Sequence, residues 1–133
     1  MLNKLFKHDI PERDDGFVPV ARFSDLKTGQ LKRVIVKGQA IVITLVAQSG
    51  NPDTTDVVAF VSMCPHALGD LSQGWVDTDE VECPVHYYRF NMRTGDCHYP
   101  KGGPKLRTCS VTLEGNQVLV KVEQPKWIDG AER

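Results

Sequence analysis

Residues 64–86 read CPHALGDLSQGWVDTDEVECPVH. Cys64 and His66 stand two apart, and after sixteen intervening residues Cys83 and His86 stand three apart. Thiolates and imidazoles are transition-metal donors, so two short segments that each offer one of both read as the two halves of a metal site. The questions are which metal these four residues bind and what kind of chain carries them.

The chain of 133 residues has 41% hydrophobic side chains, enough for one domain with its own core. Sixteen basic against seventeen acidic residues leave a formal charge of −1, which offers neither a nucleic-acid footprint nor a polybasic membrane patch. The first residues, MLNKLFKHDIPERDDG, mix charges among few apolar side chains and lack the apolar core of a secretory signal, so export is not expected and a cytoplasmic location is. The longest apolar run, AIVITLVA at 40–47, is far shorter than the ~20 residues that span a bilayer as a helix. No transmembrane segment is expected, although docking to a larger complex stays open.

Outward from the two boxes, the chain is a series of short β-branched runs between turn residues. Phe17–Phe23, Leu31–Val36, Gln39–Val46, Asp56–Met63, Leu106–Leu113 and Gln117–Val122 read as strands. Lys37-Gly38 and Gly115-Asn116 read as tight hairpin turns, and GNPDTTD at 50–56 as a longer polar loop. One helical turn is expected over Ser24–Thr28 with Ser24 as its N-cap. The expectation is an all-β, antiparallel domain over 17–122, with tails at 1–16 and 123–133.

Zinc is the first metal to weigh, since two cysteines and two histidines form a standard tetrahedral set. Zinc fingers, however, place both cysteines in one element and both histidines in another. Mixed loops suit a cluster of two unlike irons, one held by two thiolates and one by two imidazoles, which is the ligation of a Rieske [2Fe-2S] centre. CPHALGDLS at 64–72 and CPVHYYRFNMRTGDC at 83–97 resemble the two cluster-binding boxes of Rieske proteins, in particular the soluble Rieske-type ferredoxins. Gly102-Gly103-Pro104 resembles that family's third loop, and LRTCSVTLEGNQVLVKV its closing hairpin, so the resemblance covers roughly residues 18–122.

The resemblance implies a Rieske iron–sulfur fold: antiparallel sheets in a β-sandwich, with a small cluster-binding part at about 62–104. It implies one [2Fe-2S] cluster per chain, with Cys64 and Cys83 on the inner iron and His66 and His86 on the outer one. Leu68, Gly69, Leu71, Val85, Tyr87, Tyr88 and Pro104 would cover the cluster. Pro65 and Pro84, each after a cysteine, would stiffen their loops, and Gly69, Gly74 and Gly95 fall where tight turns are expected. Some Rieske proteins tie the two loops with a disulfide, at positions that correspond here to Gly69 and Val85, so that bridge cannot form. Cys97 and Cys109 are left over and read as small, at least half-buried thiols.

High-potential relatives donate hydrogen bonds to the cluster from positions that correspond here to Tyr88 and Phe90. Phe90 has no donor, which places the expected potential toward the low end of the roughly −150 to +300 mV Rieske range. Low-potential relatives usually carry glycine where this chain has Tyr87, so the second loop departs from the pattern there. Coordinated imidazoles lose protons more readily when the outer iron is oxidised, so the potential should fall with pH only in the alkaline range.

The chain shows no dinucleotide fingerprint, no two-histidine-one-carboxylate iron motif and no nucleophile elbow, so no catalytic residues are assigned. The implied role is a one-electron carrier that takes electrons from a reductase and delivers them to an oxygenase or another terminal oxidoreductase. Two alternatives stand beside it: a Rieske subunit of a larger complex, either nitrite-reductase-like or part of a respiratory or photosynthetic assembly, and a structural zinc-binding β domain. His8 and His98 read as solvated or hydrogen-bonded rather than as ligands. Trp75 and Trp127 read first as packing, with a partner-docking role as the sharper alternative.

Overall fold

The computed structural model describes residues 16–48, 51–66 and 69–122, and for residues 48 and 51–55 the backbone only. Leu68, His8, Trp127 and nearly all of both tails lie outside the described residues. Among the described residues ten strands form two antiparallel sheets. The larger contains β1 (Val18–Arg22), β2 (Lys32–Val36), β3 (Gln39–Gln48), β4 (Asn51–Val61), β9 (Thr108–Glu114) and β10 (Gln117–Lys121), in the order β1-β10-β9-β4-β3-β2. The smaller contains β5 (Trp75–Asp77), β6 (Glu80–Glu82), β7 (Arg89–Asn91) and β8 (Cys97–Tyr99), in that order.

Side chains of a strand alternate between faces, and in β3 both faces are covered. Ile41, Ile43 and Leu45 enter one buried cluster with Ala59, Val61, Val118 and Val120. Val42 and Val46 enter another with Val58, Phe60, Val81 and Phe90. A nearly continuous apolar run is therefore what this strand requires, broken only by the buried Thr44, whose hydroxyl donates to the Gln30 carbonyl at 2.6 Å. The second cluster lies between the two sheets, because Val42 and Phe60 come from the larger and Val81 and Phe90 from the smaller. Cys64 and Cys83 belong to it, so the two segments with the candidate donors grow directly out of the packing that joins the sheets. Arg93 adds a polar tie: its guanidinium donates to Asp56 Oδ2 at 2.6 Å and to the Ala47 carbonyl at 3.0 Å, fastening the turn after β7 to the β3–β4 hairpin.

Both expected hairpin turns are present, with Val36 paired to Gln39 and Glu114 to Gln117. Two expectations need correction. The segment 50–56 is not a free loop, because β4 begins at Asn51. The register jumps from Ala47↔Thr55 to Gln48↔Asn51, so the turn formers around Pro52 sit in a bulge, where proline's missing N–H interrupts no regular ladder. The helical turn is 3-10, spans Phe23–Asp25, and has Arg22 at its N-cap with no side-chain cap. Ser24 instead reaches across the fold: its N–H donates to Asn116 Oδ1 and its hydroxyl accepts from Asn116 Nδ2, both at 3.0 Å. The four strands of the smaller sheet, three residues each, were not among the expected strands.

Candidate metal centre

Two loops carry the four donors. The first leaves β4, turns through Cys64 and His66, and returns where Met63 bridges Asp70, with the Cys64 N–H donating to the Gly69 carbonyl at 2.8 Å. The second joins β6 to β7, and there the Cys83 N–H donates to the Tyr88 carbonyl at 2.8 Å and the Tyr87 N–H to the Cys83 carbonyl at 3.1 Å. His86 and Tyr87 both lie in the left-handed region, at φ of 89° and 62°. Such conformations are costly for side chains with a Cβ and tend to be retained where a site needs them. Tyr87 is the position where low-potential relatives usually carry glycine, and here a tyrosine holds the left-handed backbone.

The thiols sit inside and the imidazoles outside. Cys64 and Cys83 are buried, His66 is partly exposed and His86 is exposed. The donor atoms of Cys64, His66 and Cys83 lie within 4.8 Å of one another. Cys64 Sγ is 2.8 Å from His66 Nδ1, and His66 Nε2 is 2.9 Å from His86 Nδ1, so His86 joins the group through His66. Burial, and secondarily the neighbouring His86, push the His66 pKa down, which favours the neutral imidazole that a metal requires. Val85 adds a backbone donor to Cys83 Sγ at 3.4 Å. This donor set, soft thiols in the core and imidazoles at the rim, fits a cluster whose two irons differ in ligation.

The surrounding residues divide. Gly69 and Val85 meet directly, since a Cβ on Gly69 would lie 2.7 Å from Cys83 Sγ and 3.0 Å from Val85 Cγ2. Gly74 is similarly crowded, its added Cβ falling 2.1 Å from the Glu82 carbonyl oxygen. Neither lies in the left-handed region, so both are glycine for lack of room; Gly95, at φ 85°, is the turn glycine among the three. Leu71 is fully buried in the core beside both cysteines. Tyr88 stacks on His66, while Tyr87 is 57% exposed and Pro104 is exposed on the loop between β8 and β9. Trp75 is not the packing residue first expected: it is 55% exposed on the edge strand β5, with its ring centroid 6.3 Å from that of Tyr87.

His98 pairs with Glu80 and takes no part in the site. Cys97 and Cys109 are half-buried, and the four cysteines form no disulfide among the described residues. Burial pushes the Cys97 thiol up in spite of hydrogen bonds at Tyr99 and Gly103.

Asp70, not among the residues expected from the sequence, is held in a web of donors. Burial works against its carboxylate, but the Ser62 hydroxyl at 2.6 Å, the Ser72 hydroxyl at 2.7 Å and the Ser72 N–H at 2.9 Å all donate to Oδ1, and Arg33 lies 3.8 Å from Oδ2. Together they hold the carboxyl below its usual range. Asp70 thereby caps the 3-10 turn Leu71–Gln73 and fastens the return of the first loop. The D-L-S pattern, an acceptor two residues before a serine, was the legible signal. Asp70→Ala should lower stability by about 1 kcal/mol near neutral pH. A carboxyl with a depressed folded pKa stabilises above its unfolded pKa and loses that contribution as pH falls through the folded value. Denaturant titrations of the variant should therefore show a flatter acid limb than the wild type; matching limbs would contradict the assignment.

The Rieske [2Fe-2S] domain model matches residues 16–124. The chain belongs to the Rieske [2Fe-2S] domain family. The ferredoxin component of the p-cumate 2,3-dioxygenase system of Pseudomonas putida is 39% identical over 101 residues, 74% of this chain and 79% of that protein. Among solved structures, the ferredoxin of carbazole 1,9a-dioxygenase from Nocardioides aromaticivorans IC177 superposes with a TM-score of 0.68 at 28% identity, covering 80% of this chain and 98% of that one. A complex of reduced oxygenase and oxidized ferredoxin in carbazole 1,9a-dioxygenase gives a TM-score of 0.70 at 26% identity, covering 84% and 98%. A Rieske domain carries a [2Fe-2S] cluster, which sets the zinc alternative aside. Among the described residues, no helix is long and apolar enough to cross a membrane.

Proposed function

We propose that Cys64 and Cys83 hold one iron of a single [2Fe-2S] cluster and that His66 and His86 hold the other. The observation that supports this most is the sorting of the donors, buried thiols against outward imidazoles, on two loops that meet at Gly69 and Val85. The Rieske domain runs over 17–122, with the cluster-binding part at about 62–104. The chain is a one-electron carrier, and the cluster supplies the electron-accepting and electron-donating chemistry. Its own residues position that centre and leave the His86 edge open, so electrons enter and leave there.

The resemblance to ferredoxin components of dioxygenase systems supports a reductase as donor and a terminal oxygenase as acceptor. We place this exchange in the cytoplasm. A partner that approaches His86 closely enough for electron transfer also meets Tyr87 and Trp75. Exposed aromatics of this kind carry much of the binding energy in protein interfaces. The missing donor at Phe90 supports a potential near the low end of the family range.

The test is a redox titration of reconstituted protein followed by electron paramagnetic resonance, together with iron and sulfide analysis. One cluster per chain, a Rieske spectrum and a low midpoint are the expected result. His86→Cys should change the spectrum or prevent assembly, whereas His98→Ala should leave it as it was. A spectrum typical of four-cysteine clusters, or an unaltered His86→Cys spectrum, would overturn the ligand assignment.

A further inference from the structure

The two imidazoles differ in how they are held. A metal-binding histidine is usually oriented by a hydrogen bond from its second ring nitrogen to a fixed acceptor. Among the described residues His66 has no such anchor: Nδ1 faces Cys64 Sγ, and Nε2 faces His86, itself exposed and held in a left-handed backbone. What meets the His66 ring is the face of Tyr88, with centroids 3.7 Å apart and planes 9° from parallel.

Tyr88 is a suitable brace because it is itself fixed. Its carbonyl accepts from the Cys83 N–H at 2.8 Å, its side chain packs against the core that joins the sheets, and its ring lies tilted against that of the buried Phe90 at 6.3 Å. A stacked ring restrains the tilt of an imidazole without occupying either nitrogen, since the ligating lone pair and the N–H both lie in the ring plane. The contact also spans the site, because His66 belongs to the first loop and Tyr88 to the second. Gly69 and Val85 stand where a cross-loop disulfide would be placed, and neither can form one.

We propose that Tyr88 is a positioning residue, whose core-anchored ring fixes the plane of the His66 imidazole and ties the first loop to the second in place of a covalent bridge. This rests on His66 being a ligand. The ring is the working part and the hydroxyl is dispensable.

The test compares wild type, Tyr88→Phe, Tyr88→Trp and Tyr88→Leu as reconstituted protein, by electron paramagnetic resonance and by the half-life of the visible chromophore in excess chelator. Tyr88→Leu should shift the g-values and shorten the half-life about tenfold or more, the scale of losing a group that supports a metal ligand. Tyr88→Phe and Tyr88→Trp should restore both. Wild-type g-values and half-life in Tyr88→Leu overturn the proposal, and so does equal damage in Tyr88→Phe, which would make the hydroxyl the operative group. If Tyr88→Leu assembles no cluster, the cluster-free proteins decide: the His66 ring protons should be shifted upfield by the tyrosine ring current in wild type and released in the variant. Unshifted wild-type protons overturn the stack. A wild type without a Rieske spectrum would instead remove the ligand assignment beneath it, so the two failures are told apart.

Discussion

Gly69→Ala is expected to leave a protein that holds little or no cluster and melts below the wild type. The added methyl carbon would stand 2.7 Å from Cys83 Sγ and 3.0 Å from Val85 Cγ2, both closer than van der Waals contact allows. The closer neighbour, Cys83, cannot yield cheaply. Cys83 is completely buried, and its N–H is bonded to the Tyr88 carbonyl. Val85 stands two residues behind it and donates its own N–H to that same sulfur. Relief comes from separating the two loops, which breaks the Cys64-to-Gly69 hydrogen bond and moves apart the two thiols of the proposed ligand set. Overpacking of this kind costs about 1–3 kcal/mol in stability. Cluster uptake should suffer more than the fold, because it depends on the positions of all four donors together. Iron content and thermal midpoint of the purified variant measure the two effects separately; wild-type values for both would show that the loops are not in the contact described.

The boxes stood out because metal chemistry restricts both residue type and spacing, so Cys64, His66, Cys83 and His86 are candidate donors without any knowledge of the fold, and the fold brings them together. Strand β3 and the second half of β4 were legible for a different reason. In both, burial of the two faces demands the apolar residues that the sequence displays at 41–46 and 57–61. The strands of the smaller sheet offered no comparable signal. Glu80-Val81-Glu82 has one inward residue, and three positions are too few to establish an alternation. Their pairing is sustained by distant contacts of Val81 and Phe90 with the larger sheet.

The same distinction between local and distant causes explains the other misses. Turn chemistry around Pro52 is visible locally, but whether a bulge absorbs it depends on the partner strand. Gly69 and Gly74 carry no special backbone angle, and what demands glycine there is Cys83 in one case and the Glu82 carbonyl in the other. Packing is the general behaviour of tryptophan, and only the edge position of β5 shows that the Trp75 ring is left exposed.

Phe90→Ala should be the most damaging substitution away from the donors. Phe90 pairs with Val81 across the smaller sheet, and its ring is wholly buried among residues of both sheets, including Phe60 and Val58 from β4 and Leu106 from the segment before β9. Truncating it removes the largest apolar side chain that the smaller sheet contributes to this core, at a cost of about 3–5 kcal/mol for a buried phenylalanine. Collapse around the cavity is limited, because Val81 and Met92 are themselves fully buried and pinned by strand pairing and backbone bonds. The vacated space lies in the core that contains Cys64 and Cys83 and beside the ring of Tyr88, so the loss reaches the centre as well as the fold. Urea unfolding of the cluster-free protein isolates the packing cost, and chromophore lifetime in the reconstituted protein reports what reaches the donors. Phe90→Leu, which refills most of the volume without a ring, should recover most of the stability. A truncation costing under about 1 kcal/mol, the ordinary effect of a substitution outside the core, would mean that the two sheets are not joined through this side chain.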